Sequence, residues 1–263
     1  MNYLISGLAK SGTTMLFSRI QRALGSGGEF FFEPDQQSQL GDILSQGVNS
    51  NTLTKVLVGR VLPDFDVIAE FDKHVLIYRD PRDQFISMLL YLFYDFQVSG
   101  DQAGFDECLA ALKRKQQDPA GSSAIELYNQ LASRVGRAPI AVFNNLHRVQ
   151  NEYVSAFSPY RTRYEDLLEG NWGGLEAYLG LTLAEDAQVP EEYHRVVRSK
   201  GYGDWRNWLT VDDIAYVNAQ WGTAILSLGY ALGDGAMSQE IAAETTIDYV
   251  NQFDPRRGPQ PPQ

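Results

Sequence analysis

The sequence predicts an α/β protein with a mainly parallel sheet, and three observations carry the prediction. Short runs of branched and aromatic residues alternate with segments of helical period. A glycine-rich loop joins the first such run to the first helix. A later run passes straight into a helix with strong start signals at "RDPRD", residues 79–83.

Taken in order, residues 2–6 read as a strand and 13–24 as a helix that "GSGG" (25–28) ends. "EFFFEP" (29–34) is an aromatic run closed by Pro34. "LTKVLVG" (53–59) and "KHVLIYRD" (73–80) have the branched, apolar character of buried strands. Asp80 is a natural N-cap, Pro81 suits the first helical position, and Asp83 can supply the carboxylate of a capping box. "FISMLLYLFYDF" (85–96) follows as a buried helix, too short to span a bilayer. Helices are expected at 105–115, 124–135 and about 140–156. A strand opens "YRTRYEDLL" (160–168), and "GLEAYLGL" (174–181) reads as a short helix. A basic loop covers 196–210, and a long amphipathic helix covers 211–230. Residues 1–235 are expected to form the main domain, with 97–157 its variable helical part. A C-terminal helix and a disordered proline-rich tail are expected in 236–263.

With 263 residues, the chain can bury a sizeable core. Its net charge of −11 disfavours nucleic acid and anionic membranes as partners, while leaving room for a local basic pocket. Cys108 is the single cysteine, so neither a disulfide framework nor a cysteine metal cluster is expected, and a reducing, cytoplasmic setting fits. The three histidines are scattered and no metal site is expected. The glycine loop begins so early that no signal peptide or anchor is expected before it.

That loop, "GLAKSGTT" (7–14), carries the chemistry. Gly7 and Gly12 have the spacing of a triphosphate-binding loop, but Thr13 stands where its lysine belongs and the lysine has moved to Lys10. A glycine turn opening a helix offers unpaired N–H groups and the positive end of the helix dipole. Thr13 and Thr14 add hydroxyls, and Lys10 adds a cation. The displaced lysine, and the lack of a magnesium carboxylate after a buried strand, argue against a triphosphate. The plainer alternative is a tight strand–helix turn with an exposed lysine.

Three further segments join the loop. "AKSGTTM" (9–15), "YRDPRDQFIS" (78–87) with Ser87 eight residues after Arg79, "YEDL" (164–167) and "RSKGYGDWRN" (198–207) occur in this order. Together they resemble the motifs of sulfotransferases that use 3'-phosphoadenosine-5'-phosphosulfate (PAPS). The sequence departs from them at Ala9, Met15 and the spacing before Gly203. The resemblance implies a three-layer, P-loop kinase-like fold whose central sheet is flanked by helices. It implies that Lys10, Ser11, Gly12, Thr13 and Thr14 hold the 5'-phosphosulfate, with Lys10 stabilising charge on the bridging oxygen. Arg79, Ser87 and Arg198 would grip the 3'-phosphate, with Lys200 and Gly201 beside them. Tyr164 would touch the adenine. Considered singly, Arg79 could instead pair with Asp83, Ser87 could be a small residue on a helix face, and Tyr164 a core residue.

The base follows from a second pattern. The histidine of phenol- and steroid-directed relatives is absent from "TKVLVGR" (54–60), whereas "EFFFEP" resembles the aromatic Glu-Pro run of carbohydrate-directed ones. Glu33 is therefore the expected base, with Glu29 the alternative. Three adjacent phenylalanines are expected to desolvate Glu33 and raise its pKa, and Pro34 to hold it extended. Lys55 would contact the sulfuryl oxygens, or else snorkel at a strand edge. The expected activity is sulfuryl transfer from PAPS to the hydroxyl of a carbohydrate or other small alcohol, releasing adenosine 3',5'-bisphosphate (PAP). The rival readings are a nucleotide kinase and a non-catalytic nucleotide-binding module.

Overall fold

The computed structural model describes residues 1–34, 36–46, 50–60, 66–183, 189–199, 201–233 and 240–258. In chain order its elements are β1 (Asn2–Gly7), α1 (Thr13–Leu24), β2 (Gly28–Phe32), α2 (Gln37–Gln46), β3 (Asn51–Leu57) and β4 (Lys73–Tyr78). Then come α3 (Pro81–Tyr91), α4 (Phe93–Ser99), α5 (Gln102–Gln117), α6 (Ala124–Arg134), α7 (Val142–Phe157) and β5 (Tyr160–Arg163). Helices α8 (Tyr164–Glu169), α9 (Gly173–Leu179), α10 (Trp205–Trp208), α11 (Val211–Ser227) and α12 (Ile247–Asn251) complete the chain. The expected buried helix over 85–96 is split, with Leu92 separating α3 from α4. The expected tail contains a 3-10 turn at Pro255–Arg257, and its last five residues, 259–263, lie outside the described ones.

Contacts divide the chain into two compact units. One comprises Met1–Arg79 and Leu146–His194, the other Asp80–Asn145 and Arg195–Gln263. The first holds the sheet, ordered β2-β3-β1-β4-β5 with every neighbouring pair parallel. Strand alternation sends Tyr3 and Ile5 to one face, where Leu16, Phe17, Ile20 and Leu167 cover them. Leu4 points to the other face, into a cluster with Leu40, Ile43, Val56 and Tyr153. Helices on both faces make the expected three-layer α/β architecture. Because β1 has β3 on one side and β4 on the other, its carboxyl end is the topological switch point, where such sheets bind ligands.

The second unit is helical. Phe85 of α3 packs against Tyr128, Phe143 and Trp221, with ring centroids 5.6, 5.7 and 5.6 Å away. The N-terminus of α11 is fixed by a capping box between Thr210 and Asp213. The same Asp213 carboxylate accepts from Ser123 Oγ and Ala124 N at the start of α6. Among the described residues, no helix is long and apolar enough to cross a membrane.

Candidate active site

A parallel sheet aligns all its carboxyl ends, and here each is followed by a candidate residue. The glycine loop follows β1, Glu33 follows β2, Arg60 lies just beyond β3, Arg79 follows β4 and Tyr164 follows β5. Glu29, the alternative base, sits at the other end of β2, opposite Thr52 and exposed.

The loop is tight for reasons visible residue by residue. A Cβ at Gly7 would lie 2.6 Å from Ile77 O and 2.7 Å from Ser11 Oγ, so only glycine fits. Lys10 and Gly12 both adopt positive φ, 67° and 99°. Ser11 Oγ donates to Leu8 O at 2.7 Å and ties the loop to itself. Gly12 is the N-cap of α1 and brings no side chain to the first-turn amides. Those amides, the buried Thr13 and Thr14 and the half-buried Lys10 form a cradle suited to an anion.

Tyr164 joins three of the motifs. A Cβ on Gly12 would overlap its ring, so the tyrosine packs directly on the glycine loop. The Arg79 guanidinium lies 4.5 Å from the centre of the same ring. Tyr164, Arg79 and the loop, distant in sequence, thus meet in the first unit.

Glu33 and Lys55 also meet. Lys55 Nζ donates to Glu33 Oε1 at 2.6 Å and to Thr14 Oγ1 at 3.1 Å, and lies 3.7 Å from the centre of the Phe32 ring. Arg60 Nη1 donates to the other carboxylate oxygen at 3.1 Å. Two expectations are corrected here. Glu33 is not extended but has φ 56°, because its N–H bonds Lys55 O while its side chain turns back to Lys55 Nζ. Nor is its setting chiefly apolar, for two cations flank the carboxylate. Lys55 does not snorkel, being 1% exposed on an interior strand. Its ammonium meets the Glu33 carboxylate, the Thr14 hydroxyl and the Phe32 ring.

In the second unit, Asp80 caps α3 as expected, accepting from Arg82 N at 2.9 Å. Asp83 does something other than the expected capping box. Its two oxygens accept from Gly203 N at 2.5 Å and Trp205 N at 3.0 Å. Ser87 is buried on α3 one turn later. Arg198 Nη1 donates to Asp204 Oδ2 at 2.8 Å. Gly201 is half-buried in the same loop, and Lys200 lies outside the described residues.

Beneath the loop, His74 Nε2 lies 2.9 Å from Ser6 Oγ and 3.0 Å from Tyr153 Oη. Burial lowers the His74 pKa to about 4, so the ring is neutral here. Among the described residues, no group of three or more His, Cys, Asp or Glu side chains is placed to hold a metal.

The fold has a counterpart among solved structures. The chain aligns with the crystal structure of mouse sulfotransferase SULT7A1 complexed with PAP, with a TM-score of 0.52 over 96% of this chain and 89% of that one. The fold is that of a sulfotransferase. Sequence identity across the match is 12%, and no family model and no curated protein matches the sequence. What joins this chain to the sulfotransferase fold is thus its architecture, within which the residues above are its own. Sequence reading passed over Arg60, although "GR" at the end of a strand is where a ligand-facing cation would sit. It also passed over Asp83 as a loop anchor, for which no local signal exists.

Proposed function

We propose that the protein transfers a sulfuryl group from PAPS to the hydroxyl of a carbohydrate or other small alcohol. The observation that carries this reading is the continuous chain Glu33–Lys55–Thr14. It connects a carboxylate able to take a proton to the anion-binding loop through one buried ammonium. The loop's close-packed glycines, its bare helix N-terminus and the Arg79–Tyr164 pair suit the donor's phosphosulfate and adenosine. The motif resemblance adds Ser87 and Arg198 for the 3'-phosphate.

The reaction breaks the S–O bond to the donor's phosphate and makes an S–O bond to the acceptor oxygen. Glu33 takes the acceptor's proton, and PAP leaves. Lys10 offsets charge on the departing oxygen, and Lys55 steadies the sulfuryl oxygens. Arg60 bonds the other Glu33 carboxylate oxygen and helps orient the base.

Donor labelled in its sulfuryl group, offered with a panel of sugars and simple alcohols, tests the reading. Label should pass to at least one acceptor. Glu33→Gln should lower kcat by about 10²–10⁴, as expected for a general base, while PAP binding holds within about threefold. PAP binding without transfer to any hydroxyl, and without effect of Glu33→Gln, would favour a binding module and end the catalytic reading.

A further inference from the structure

We infer that Asp83 is a positioning residue for the donor's 3'-phosphate, acting through the loop that carries Arg198. The inference rests on the donor reading above. Asp83 and Ser87 stand four residues apart on α3 and so share a helix face. Asp83 is 1% exposed and uses both carboxylate oxygens to hold the backbone amides of Gly203 and Trp205. Between those amides sits Asp204, whose carboxylate pairs with Arg198.

A chain of charge-assisted bonds therefore runs from the first turn of α3, through the 203–205 backbone, to one guanidinium. That guanidinium is not fully used. The Arg198 side chain is 4% exposed, and its Nη2 meets no hydrogen-bond partner among the described residues. A buried N–H without an acceptor is costly, and a bound oxyanion would supply one. Gly203, at φ 81°, lets the loop turn to present its amide to Asp83. Arg82 seats the loop a second way, with its guanidinium 3.8 Å from the centre of the Trp205 ring. The carboxylate itself would repel a phosphate, so its value to an anion site lies in placement. It anchors to α3, the helix that bears Ser87, the loop whose Asp204 pairs with Arg198.

The test compares two nucleotides by calorimetry, PAP and adenosine 5'-phosphate, which lacks the 3'-phosphate. Wild type should prefer PAP. Asp83→Ala should weaken PAP by about tenfold or more, the scale of one lost charged hydrogen bond, and leave adenosine 5'-phosphate within about threefold. In an Arg198→Ala background the same change should cost PAP less than about threefold, because both act through one contact. Asp83→Asn keeps one acceptor oxygen and should fall between wild type and Asp83→Ala, which secures the result if the alanine variant folds poorly. Equal weakening of both nucleotides, or full additivity with Arg198→Ala, would reduce Asp83 to a structural residue and overturn the inference. Wild type that shows no preference for PAP would overturn the donor reading itself, a distinct result.

Discussion

Removing both members of the Glu33–Lys55 pair should cost well under the sum of removing each alone, and less than removing Glu33 by itself. Lys55 Nζ is 2.6 Å from Glu33 Oε1, and the two side chains are 2% and 21% exposed. Glu33→Ala leaves the buried ammonium its contacts with the Thr14 hydroxyl and the Phe32 ring but takes away the Glu33 carboxylate. Stripping one partner from a buried pair costs about 3–5 kcal/mol, and those surviving contacts place this case near 3. Lys55→Met leaves Glu33 partly solvated and still bonded to Arg60, whose side chain is 59% exposed, so about 1–2 kcal/mol is expected. The double variant orphans no charge and packs a thioether against Phe32. Its cost should be about 2 kcal/mol, well under the sum of the two. Urea denaturation followed by circular dichroism reads the coupling. At a slope of about 3 kcal/mol per molar, Glu33→Ala should lower the midpoint by about 1 M, and adding Lys55→Met should restore part of it. Single-variant losses that add to within about 0.5 kcal/mol would refute the coupled pair and the role given to Lys55.

The buried histidines should make the protein acid-sensitive. Burial lowers the pKa of both His74 and His147 from 6.5 to about 4, so between those values the unfolded chain binds more protons. Stability is held above pH 6.5 and lost as pH falls toward 4, by about 1.4 kcal/mol per histidine at pH 5.5. His74→Gln should flatten the slope of melting temperature between pH 6.5 and 5.5, and an unchanged slope would contradict this. Gly12→Ala forces a side chain to φ 99° and into the Tyr164 ring, so it should abolish PAP binding and cost about 2 kcal/mol or more in thermal unfolding. Asp213→Ala removes the acceptor for Ser123, Ala124 and Thr210, and should lower stability by about 2 kcal/mol in urea while sparing nucleotide binding.

Local signals carried the fold a long way. The glycine pair around α1 marks both of its ends, and Asp80-Pro81 marks the start of α3, because caps and turn residues act over a few positions. Helix α2 went unread because "QSQLGDILSQ" has few apolar residues and a glycine in its middle. The break at Leu92 contains neither proline nor glycine, so periodicity alone runs through it. The candidate site divides the same way. Loop residues could be listed from spacing, but Asp83's partners lie 120 and 122 positions away and leave no trace beside it. Glu33 shows the limit of a local rule. A following proline disfavours the right-handed helical region, yet the ladder bond and ion pair to Lys55 draw the residue to positive φ instead of to the extended form. Lys55 itself reads as any strand lysine until pairing with β1 and β2 buries it.

Under the proposed function, this loop and strand end receive the sulfuryl donor and not a nucleoside triphosphate. Calorimetry of PAP against ATP with magnesium, on wild type and Arg79→Ala, tests it most directly. PAP should bind wild type, ATP with magnesium should not, and Arg79→Ala should lose about tenfold or more in PAP affinity. Binding of ATP with magnesium in place of PAP, or PAP affinity unchanged in Arg79→Ala, would contradict the account.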